Sequence, residues 1–400
     1  MASSISRRSF LRDSALAASA LGLGSAPLLS DAYAARAQQR PSPPPGADAE
    51  DAVMINANEY PLGPSASARQ AITDIASKGG RYLGGLQNEL VEVYAAQLGV
   101  PVDHLMGYAG STEPLDYTML AFTSPTASLV TADPTFESGW RAATRNGAAV
   151  HKLPLRKDHS HDVEAMCAKD AKAGIVYICN PNNPTGSVTL RHDLEYALAN
   201  KPKGSVLVVD EAYIHFSDSA VSAVGMVAAG RDVVVLRTFS KLYGMAGIRL
   251  GFAVARPELL ERLKFYSVNS LPVTAAAAGL ASLRDPELVP QRRLETARIR
   301  ADVMGWLASK GYSCTASESN CFMVDVKRPA KDFIADMATH RVFVGRAWPI
   351  WPNASRITIG TAEEMERFKA AFEQVEAGTT ATAQATPGLN GPWQRFFDVA

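Results

Sequence analysis

One lysine of the chain lies where a catalytic amine and a solvated side chain are equally plausible. Lys241 follows an apolar run and a Thr-Phe-Ser turn at residues 238–240, and Gly244 and Gly247 come soon after it. Tight backbone and apolar side chains desolvate an amine, which lowers its pKa and frees it as a nucleophile. Taken alone, the same position also suits a lysine that ends a loop and extends into water. The polar residues near it decide between the two.

A carboxylate stands at the end of another apolar run. Asp210 follows Val-Leu-Val-Val at residues 206–209, where an unpaired buried charge is costly, so it needs a cationic partner. A protonated pyridine nitrogen is such a partner. Asn183 and Tyr213 can hydrogen-bond a phenolic oxygen, and Phe136 can stack on an aromatic ring.

A glycine turn with hydroxyl groups completes the set. Gly110 precedes Ser111 and Thr112 at the predicted start of a helix, where free backbone N–H groups favour a phosphate. Ser240 and Arg249 can add a hydroxyl and a guanidinium to the same anion. Each residue alone also fits a helix cap, a turn or a structural ion pair. Together they predict a site for pyridoxal 5'-phosphate.

The elements that must position these residues follow from the hydrophobic pattern. Between about residues 129 and 255, β-branched runs alternate with helical patterns, which predicts an α/β fold with a mainly parallel sheet covered on both faces. Strands are predicted at 129–131, 175–179, 206–209, 233–236 and 252–254. Ligands bind at the carboxyl ends of such strands. The polar residues that follow the first four strands are therefore expected to converge.

The last third of the chain predicts a second, smaller α+β domain. Its pattern indicates helices over 290–307 and 362–376, and strands at 322–326, 342–344 and 356–359. The predicted organisation is an N-terminal arm (51–75) that joins the small domain, a large cofactor-binding domain (76–273), a small domain (274–377) and a polar tail (378–400).

Composition excludes several function classes. The chain has 40 Lys+Arg and 40 Asp+Glu, so it lacks the basic excess of a nucleic-acid-binding protein. Four cysteines without a CxxC motif exclude a disulfide framework and a zinc site. Cys314 and Cys321 could pair, although two free thiols are favoured. His159 and His161 lack a third ligand, which favours a solvated loop over a metal site.

The N-terminus resembles a twin-arginine export signal. Arg7 and Arg8 precede a weakly apolar stretch, and Ala32-Tyr33-Ala34 forms a small-x-small cleavage site. The stretch is too polar to span a membrane stably. We therefore expect the export machinery as a partner, cleavage after Ala34, a polar disordered linker at 35–50 and a periplasmic or exported location.

The motifs over about residues 53–376 resemble the class I/II, fold-type I aminotransferases, which depend on pyridoxal phosphate. They are most similar to the histidinol-phosphate aminotransferase branch. The motifs that carry the resemblance lie at residues 56–61 (Asn-Ala-Asn-Glu-Tyr-Pro), 81–82 (Arg-Tyr), 180–186 (Asn-Pro-Asn-Asn-Pro-Thr-Gly), 210–213 (Asp-Glu-Ala-Tyr), 237–241 (Arg-Thr-Phe-Ser-Lys), 246–251 (Ala-Gly-Ile-Arg-Leu-Gly) and 356–361 (Arg-Ile-Thr-Ile-Gly-Thr). Several motifs in order are a more specific signal than one glycine-rich loop.

The resemblance implies a role for each site residue. Lys241 would bond covalently to the cofactor, Asp210 would pair with its ring nitrogen, and Asn183 and Tyr213 would bind its ring hydroxyl. The phosphate would be held by Ser111, Thr112, Ser240 and Arg249, with Tyr82 reaching across from the second subunit of a homodimer.

The resemblance also implies how substrate is held. Arg356 would bind the substrate's carboxylate or another anion, Arg346 falls close to a second anion-binding arginine, and Asn58 is assigned to the substrate pocket. Trp348 and Trp351 beside Arg346 indicate a reshaped pocket.

The expected reaction is a ping-pong transamination between an amino donor bearing an anionic group and a 2-oxo acid. The same fold and cofactor also support decarboxylases, lyases and racemases, since neither selects which bond breaks. A binding protein without catalysis is a third interpretation.

Overall fold

The computed structural model describes residues 51–267 and 271–378. The predicted export signal, the linker at 35–50 and nearly all of the tail lie outside the described residues. The strands are β1 (Val53–Ile55), β2 (Leu105–Tyr108), β3 (Ser128–Asp133), β4 (Val150–Pro154), β5 (Ala173–Cys179), β6 (Val206–Asp210), β7 (Val233–Thr238), β8 (Gly251–Val254), β9 (Cys321–Asp325), β10 (Val342–Val344), β11 (Ala347–Trp348) and β12 (Trp351–Thr358).

Helices connect these strands and cover both faces of the larger sheet. They are α1 (Ala66–Ala76), α2 (Gly84–Leu98), α3 (Thr112–Phe122), α4 (Ser138–Arg145), α5 (Val163–Ala168), α6 (Arg191–Asn200), α7 (Val224–Ala228), α8 (Pro257–Lys264), α9 (Val273–Leu283), α10 (Leu288–Ser309), α11 (Ala330–Thr339) and α12 (Ala362–Glu376). In the described part of the chain, none of them is both long and apolar enough to cross a bilayer.

The large sheet has the strand order β2-β8-β7-β6-β5-β3-β4. Strands β3 to β7 run parallel, whereas β8 is antiparallel to both β7 and β2. The mainly parallel, doubly covered sheet is therefore confirmed, and each of its five predicted strands is present and slightly longer than predicted. The edge strands β2 and β4 were not predicted, because their partly exposed residues lack a continuous apolar run.

The central strands read as unbroken apolar runs because both of their faces are buried. Along β5, Val176 and Ile178 enter the core on one face of the sheet, whereas Ile175 and Tyr177 enter the core on the other. Helices α2 and α9 cover the first face, and α3 and α4 cover the second. This packing fixes the strand ends, and with them the residues that follow.

Smaller sheets form from the rest of the chain. Strands β9, β12 and β11 pair antiparallel, and β1 pairs in parallel with β10. Helix α12 matches its prediction to the residue and starts with a capping box between Thr361 and Glu364. Strand β12 begins at Trp351, earlier than predicted.

The predicted boundary between the two domains falls within helix α9. Its Ala275, Ala276 and Ala278 lie in the core beneath the large sheet, and the helix packs against α1 and α2. The boundary at residue 274 falls in its first turn. The division into domains stays a prediction.

The described cysteines and histidines form neither a disulfide nor a cluster of metal ligands. Cys314 and Cys321 are both free thiols, and no described group of three or more His, Cys, Asp or Glu is placed to hold a metal ion. The expectation of a solvated loop is wrong for His161, which is buried with its Nδ1 2.8 Å from Thr189 Oγ1.

Candidate active site

The predicted polar residues converge at the carboxyl edge of the large sheet. Asp210 is the last residue of β6, where it pairs in register with Cys179 at the end of β5 and with Leu236 of β7. Lys241 lies just beyond β7. Parallel pairing thus brings together residues that are far apart in the sequence.

Asp210 is a buried acid whose hydrogen bonds come from neutral groups. Tyr177 Oη donates to its Oδ2 at 3.0 Å, and the Ala212 amide donates to its Oδ1 at 3.1 Å. Burial raises the pKa of Asp210 to about 6. Within the described residues no basic side chain forms an ion pair with it, so a cation placed beside this carboxylate would be strongly favoured. The site therefore fits a pyridinium nitrogen.

Lys241 has the environment of a nucleophile. Its Nζ donates to the Ala57 carbonyl oxygen at 3.4 Å and lies 5.8 Å from the centre of the Tyr213 ring. Burial, and then the positive charge of Arg356, lower the pKa of Lys241 to about 8. A useful fraction of the amine is therefore neutral near neutral pH, as covalent attachment to an aldehyde requires.

The two groups predicted to bind the ring hydroxyl lie side by side. Asn58 Nδ2 donates to Tyr213 Oη at 3.0 Å and lies 3.4 Å from Asn183 Oδ1. Burial keeps the pKa of Tyr213 well above its usual value, so the phenol stays protonated and can donate a hydrogen bond. Asn58 is itself buried, and its Oδ1 accepts from Thr358 Oγ1 at 2.9 Å. The structure thus shows Asn58 positioning Tyr213, and its substrate-binding role stays a prediction.

In the predicted phosphate seat, Gly110 and Gly251 let neighbouring groups come closer to the backbone than any residue with a Cβ would allow. Gly110 has φ +92°, and a Cβ there would lie 2.0 Å from Arg249 Nη2, so only glycine admits the guanidinium. A Cβ on Gly251 would lie 2.4 Å from the amide nitrogen of Ser111. Ser111 is the N-cap of α3, and no side chain caps that end.

Arg249 and Ser240 close the other side of this seat. Arg249 Nη1 donates to Ser240 Oγ at 3.3 Å, and Thr112 is the first residue of α3. A helix N-terminus, three hydroxyl residues (Ser111, Thr112 and Ser240) and a guanidinium fit a phosphate group. The residues present therefore fit pyridoxal phosphate at both of its ends.

The structure shows where Phe136 and Tyr82, two predicted cofactor-binding residues, lie. Phe136 follows β3 and packs, partly buried, against the core, so its stacking role stays a prediction. Tyr82 is 83% exposed, and its contact with a second subunit also stays a prediction.

The guanidinium groups of Arg346 and Arg356 both lie near the buried indole ring of Trp348. The Cζ atoms of Arg346 and Arg356 lie 4.0 and 5.5 Å from the centre of the Trp348 ring. Arg356 Nη1 donates to Asn183 Oδ1 at 2.9 Å and Nη2 to the Asn56 carbonyl oxygen at 2.6 Å. Each Nη carries a second N–H beyond these two contacts, so the guanidinium keeps donors for a ligand. Its Nε is buried beside Gly345, where a Cβ would lie 3.1 Å from it.

Three site residues escaped the sequence analysis. Tyr177 bonds Asp210, Cys321 Sγ lies 3.1 Å from Asn58 Nδ2, and Glu137 pairs with Arg346. Only Tyr177 had a usable signal. It lies two residues before Cys179 on the same face of a strand beside β6, which places it next to Asp210 once the register is known.

Comparison with known proteins agrees with this geometry. Residues 50–372 match the family model of aminotransferase class I and II. The histidinol-phosphate aminotransferase of Symbiobacterium thermophilum is 35% identical over 333 residues, covering 81% of this chain and 90% of that protein. The aromatic amino acid aminotransferase of Rhodococcus jostii is 32% identical over 339 residues, covering 84% of this chain and 94% of that protein.

A solved structure adds the cofactor. The histidinol-phosphate aminotransferase of Sinorhizobium meliloti, in complex with pyridoxal 5'-phosphate, superimposes with a TM-score of 0.76 at 25% identity, covering 82% of this chain and 91% of that chain. The lysine, the carboxylate and the phosphate seat described above suit that same cofactor. The chain thus belongs to the class I and II aminotransferases and is an enzyme that catalyses transamination with pyridoxal phosphate.

Proposed function

We propose that this enzyme takes the amino group of a small donor bearing an anionic group and passes it to a 2-oxo acid in a ping-pong cycle. The observation that carries this proposal is Arg356, a buried guanidinium beside the hydroxyl-binding pair whose two Nη atoms donate to neutral oxygens and each keep a second N–H for an anion. A planar, permanently charged fork is the side chain best suited to a carboxylate.

Each site residue has a separate role in the proposed reaction. Pyridoxal phosphate, when bound, supplies the sink for the electrons left by the broken substrate bond. Arg356 fixes the donor's carboxylate and so orients its α-carbon. The Lys241 amine can accept the α-proton at Nζ, since its lowered pKa leaves it partly neutral. Asp210 would stabilise positive charge on the ring nitrogen of the cofactor, and Tyr213 would donate a hydrogen bond to its ring hydroxyl.

The reaction type is tested with a donor alone. Holoenzyme mixed with amino acid and no acceptor should release 2-oxo acid up to one equivalent per site and then stop. Adding a 2-oxo acid should restart turnover. Release of carbon dioxide, or formation of the mirror-image amino acid, would instead favour a decarboxylase or a racemase on the same fold.

The role of Arg356 is tested with Arg356→Lys and Arg356→Gln. Losing a bidentate charged contact of roughly 3 kcal/mol should lower kcat/KM for carboxylate-bearing donors by about 100-fold. Lysine should restore little of this, because it keeps the charge but not the fork. Simple alkylamines without a carboxylate are the control, and an equal loss for both kinds of donor would contradict the assignment.

The proposal also includes a homodimer. Tyr82 is an almost fully exposed aromatic side chain, and such a residue is suited to an interface. We assign it to the phosphate seat of the second subunit.

We further propose export in the folded state to the periplasm. The twin arginines, the weakly apolar stretch and Ala32-Tyr33-Ala34 support this location. A route that accepts folded cargo suits an enzyme that must acquire its cofactor in the cytoplasm.

Changing Arg7 and Arg8 to lysine should leave active, uncleaved enzyme in the cytoplasm, since lysine lacks the planar fork that a receptor can read. Cell fractionation, activity assay and N-terminal sequencing check this. The unmodified protein should start near Ala35 in the periplasm, and a double-lysine variant that is exported and cleaved normally would contradict the proposal.

A further inference from the structure

The second arginine on the indole already has an anionic partner within the protein. Arg346 Nη2 donates to Glu137 Oε2 at 2.9 Å, and the side chains are 11% and 20% exposed. Glu137 lies between Phe136 and the first residue of α4, so it comes from the large sheet's side of the site. The guanidinium face also rests on Trp348 at 4.0 Å. Arg346 is thus held in place and its charge is countered.

Arg356, unlike Arg346, has no anionic partner among the described residues. Its Nη hydrogen bonds go to two neutral oxygens, and no carboxylate of the described residues lies within ion-pair distance of it. Of the two arginines on Trp348, one is ready for a ligand anion and the other is occupied by Glu137.

The surroundings make Glu137 hard to displace. Burial raises the pKa of Asp133, with Lys152 and Arg346 acting against that shift and Glu137 acting in its favour. Asp133 and Glu137 are therefore close enough to repel each other. A carboxylate released from Arg346 would be left largely buried next to a second acidic group, which is costly.

We propose that Glu137 determines specificity by rejecting substrates with a second anionic group, so that the enzyme uses amino acids whose side chains are uncharged. This inference rests on the proposed function, in which Arg356 binds the donor's carboxylate. An acidic side chain would have to compete with Glu137 for Arg346, whereas an uncharged side chain leaves that ion pair intact. Discrimination by an unpaired buried charge is stronger than discrimination by size alone.

The test compares Glu137→Gln with the unmodified enzyme. The ratio of kcat/KM for aspartate and glutamate to that for phenylalanine and leucine should rise at least about tenfold, because glutamine leaves the Arg346 charge uncountered. Glu137→Asp should keep the ratio low. Glu89→Gln, which removes an exposed ion pair with Arg284, is the matched control and should leave the ratio unchanged.

Variants of Arg346 test whether the ion pair with Glu137 causes the change in the kcat/KM ratio. In an Arg346→Gln background, Glu137→Gln should raise the ratio less than it does in the unmodified enzyme, because it removes the repulsion by Glu137 but has no guanidinium to release. Arg346→Gln alone should lower the ratio further, because an unpaired Glu137 repels acidic substrates. If Glu137→Gln raises the ratio equally with and without Arg346, the ion pair is not the cause and the inference fails.

Binding of unreactive analogues separates this inference from the proposed reaction. Succinate and glutarate should bind Glu137→Gln more tightly relative to 3-phenylpropionate, as measured by tryptophan fluorescence of the holoenzyme. If the binding ratio shifts but no donor yields 2-oxo acid, the proposed function fails and the specificity role stands. If donors react but neither ratio shifts, the specificity role of Glu137 is overturned.

Discussion

Lys241→Ala will lose turnover by at least about 10⁴-fold while keeping the fold, because it removes both the covalent attachment point and the general base. The lysine amine contacts the Ala57 carbonyl oxygen and the Tyr213 ring rather than filling a core. Its truncation should therefore change the melting temperature of the apoenzyme only slightly. Steady-state kinetics and thermal unfolding measure the two effects.

Covalent labelling identifies the lysine directly. Borohydride reduction of the yellow holoenzyme, followed by peptide mapping, should place the cofactor on Lys241. Lys264→Ala, which removes an exposed lysine paired with Glu261, is the control and should be labelled and active like the unmodified enzyme. A label on any other lysine would refute the assignment.

Asp210→Asn is expected to lower the reaction rate but to raise the stability of the apoenzyme at pH 7. A neutral amide cannot hold positive charge on the ring nitrogen, so the rate should fall by about 10³-fold, or roughly 4 kcal/mol of barrier. The cofactor should still bind through Lys241 and the phosphate seat. A loss within about threefold, which is under roughly 1 kcal/mol, would show that the carboxylate has another role.

The stability effect follows from the raised pKa of Asp210. The folded value is about 6 and the ordinary value is 3.8, so the folded apoenzyme binds the proton more tightly than the unfolded chain. Its stability therefore falls as pH rises from about 4 through about 6, by at most roughly 3 kcal/mol.

The amide that replaces the carboxylate does not titrate, so the Asp210→Asn variant loses this pH dependence. The Asp210→Asn apoenzyme should therefore melt higher than the unmodified apoenzyme at pH 7, and the two should approach each other near pH 4. Thermal unfolding across this pH range measures the difference. Equal melting temperatures at pH 7 would mean that the buried charge is compensated.

The residues that could be predicted from sequence are those attached to strong local patterns. Asp210 and Lys241 each follow an apolar run that predicts a buried strand, so their convergence was expected from parallel topology. Strands β2 and β4 were missed because they are only partly buried and carry no such run.

The residues that could not be predicted act through tertiary contacts. Glu137 and Arg346 are 209 positions apart in the chain, and an acidic residue at a helix start is more often a cap than the partner of a distant arginine. Asn58 was assigned to the substrate pocket by its motif, whereas its contact with Tyr213 depends on how the N-terminal arm crosses the site.

The unpaired carboxylate of Asp210 should also affect how long the protein persists in a cell. A ligand that binds only the folded state stabilises it by about 4 kcal/mol at a thousandfold excess over Kd, and here that ligand also supplies the missing countercharge. The loaded protein should therefore resist proteases far better than the empty one, since cleavage follows the population of open molecules. Its steady-state abundance should consequently rise and fall with the supply of vitamin B6.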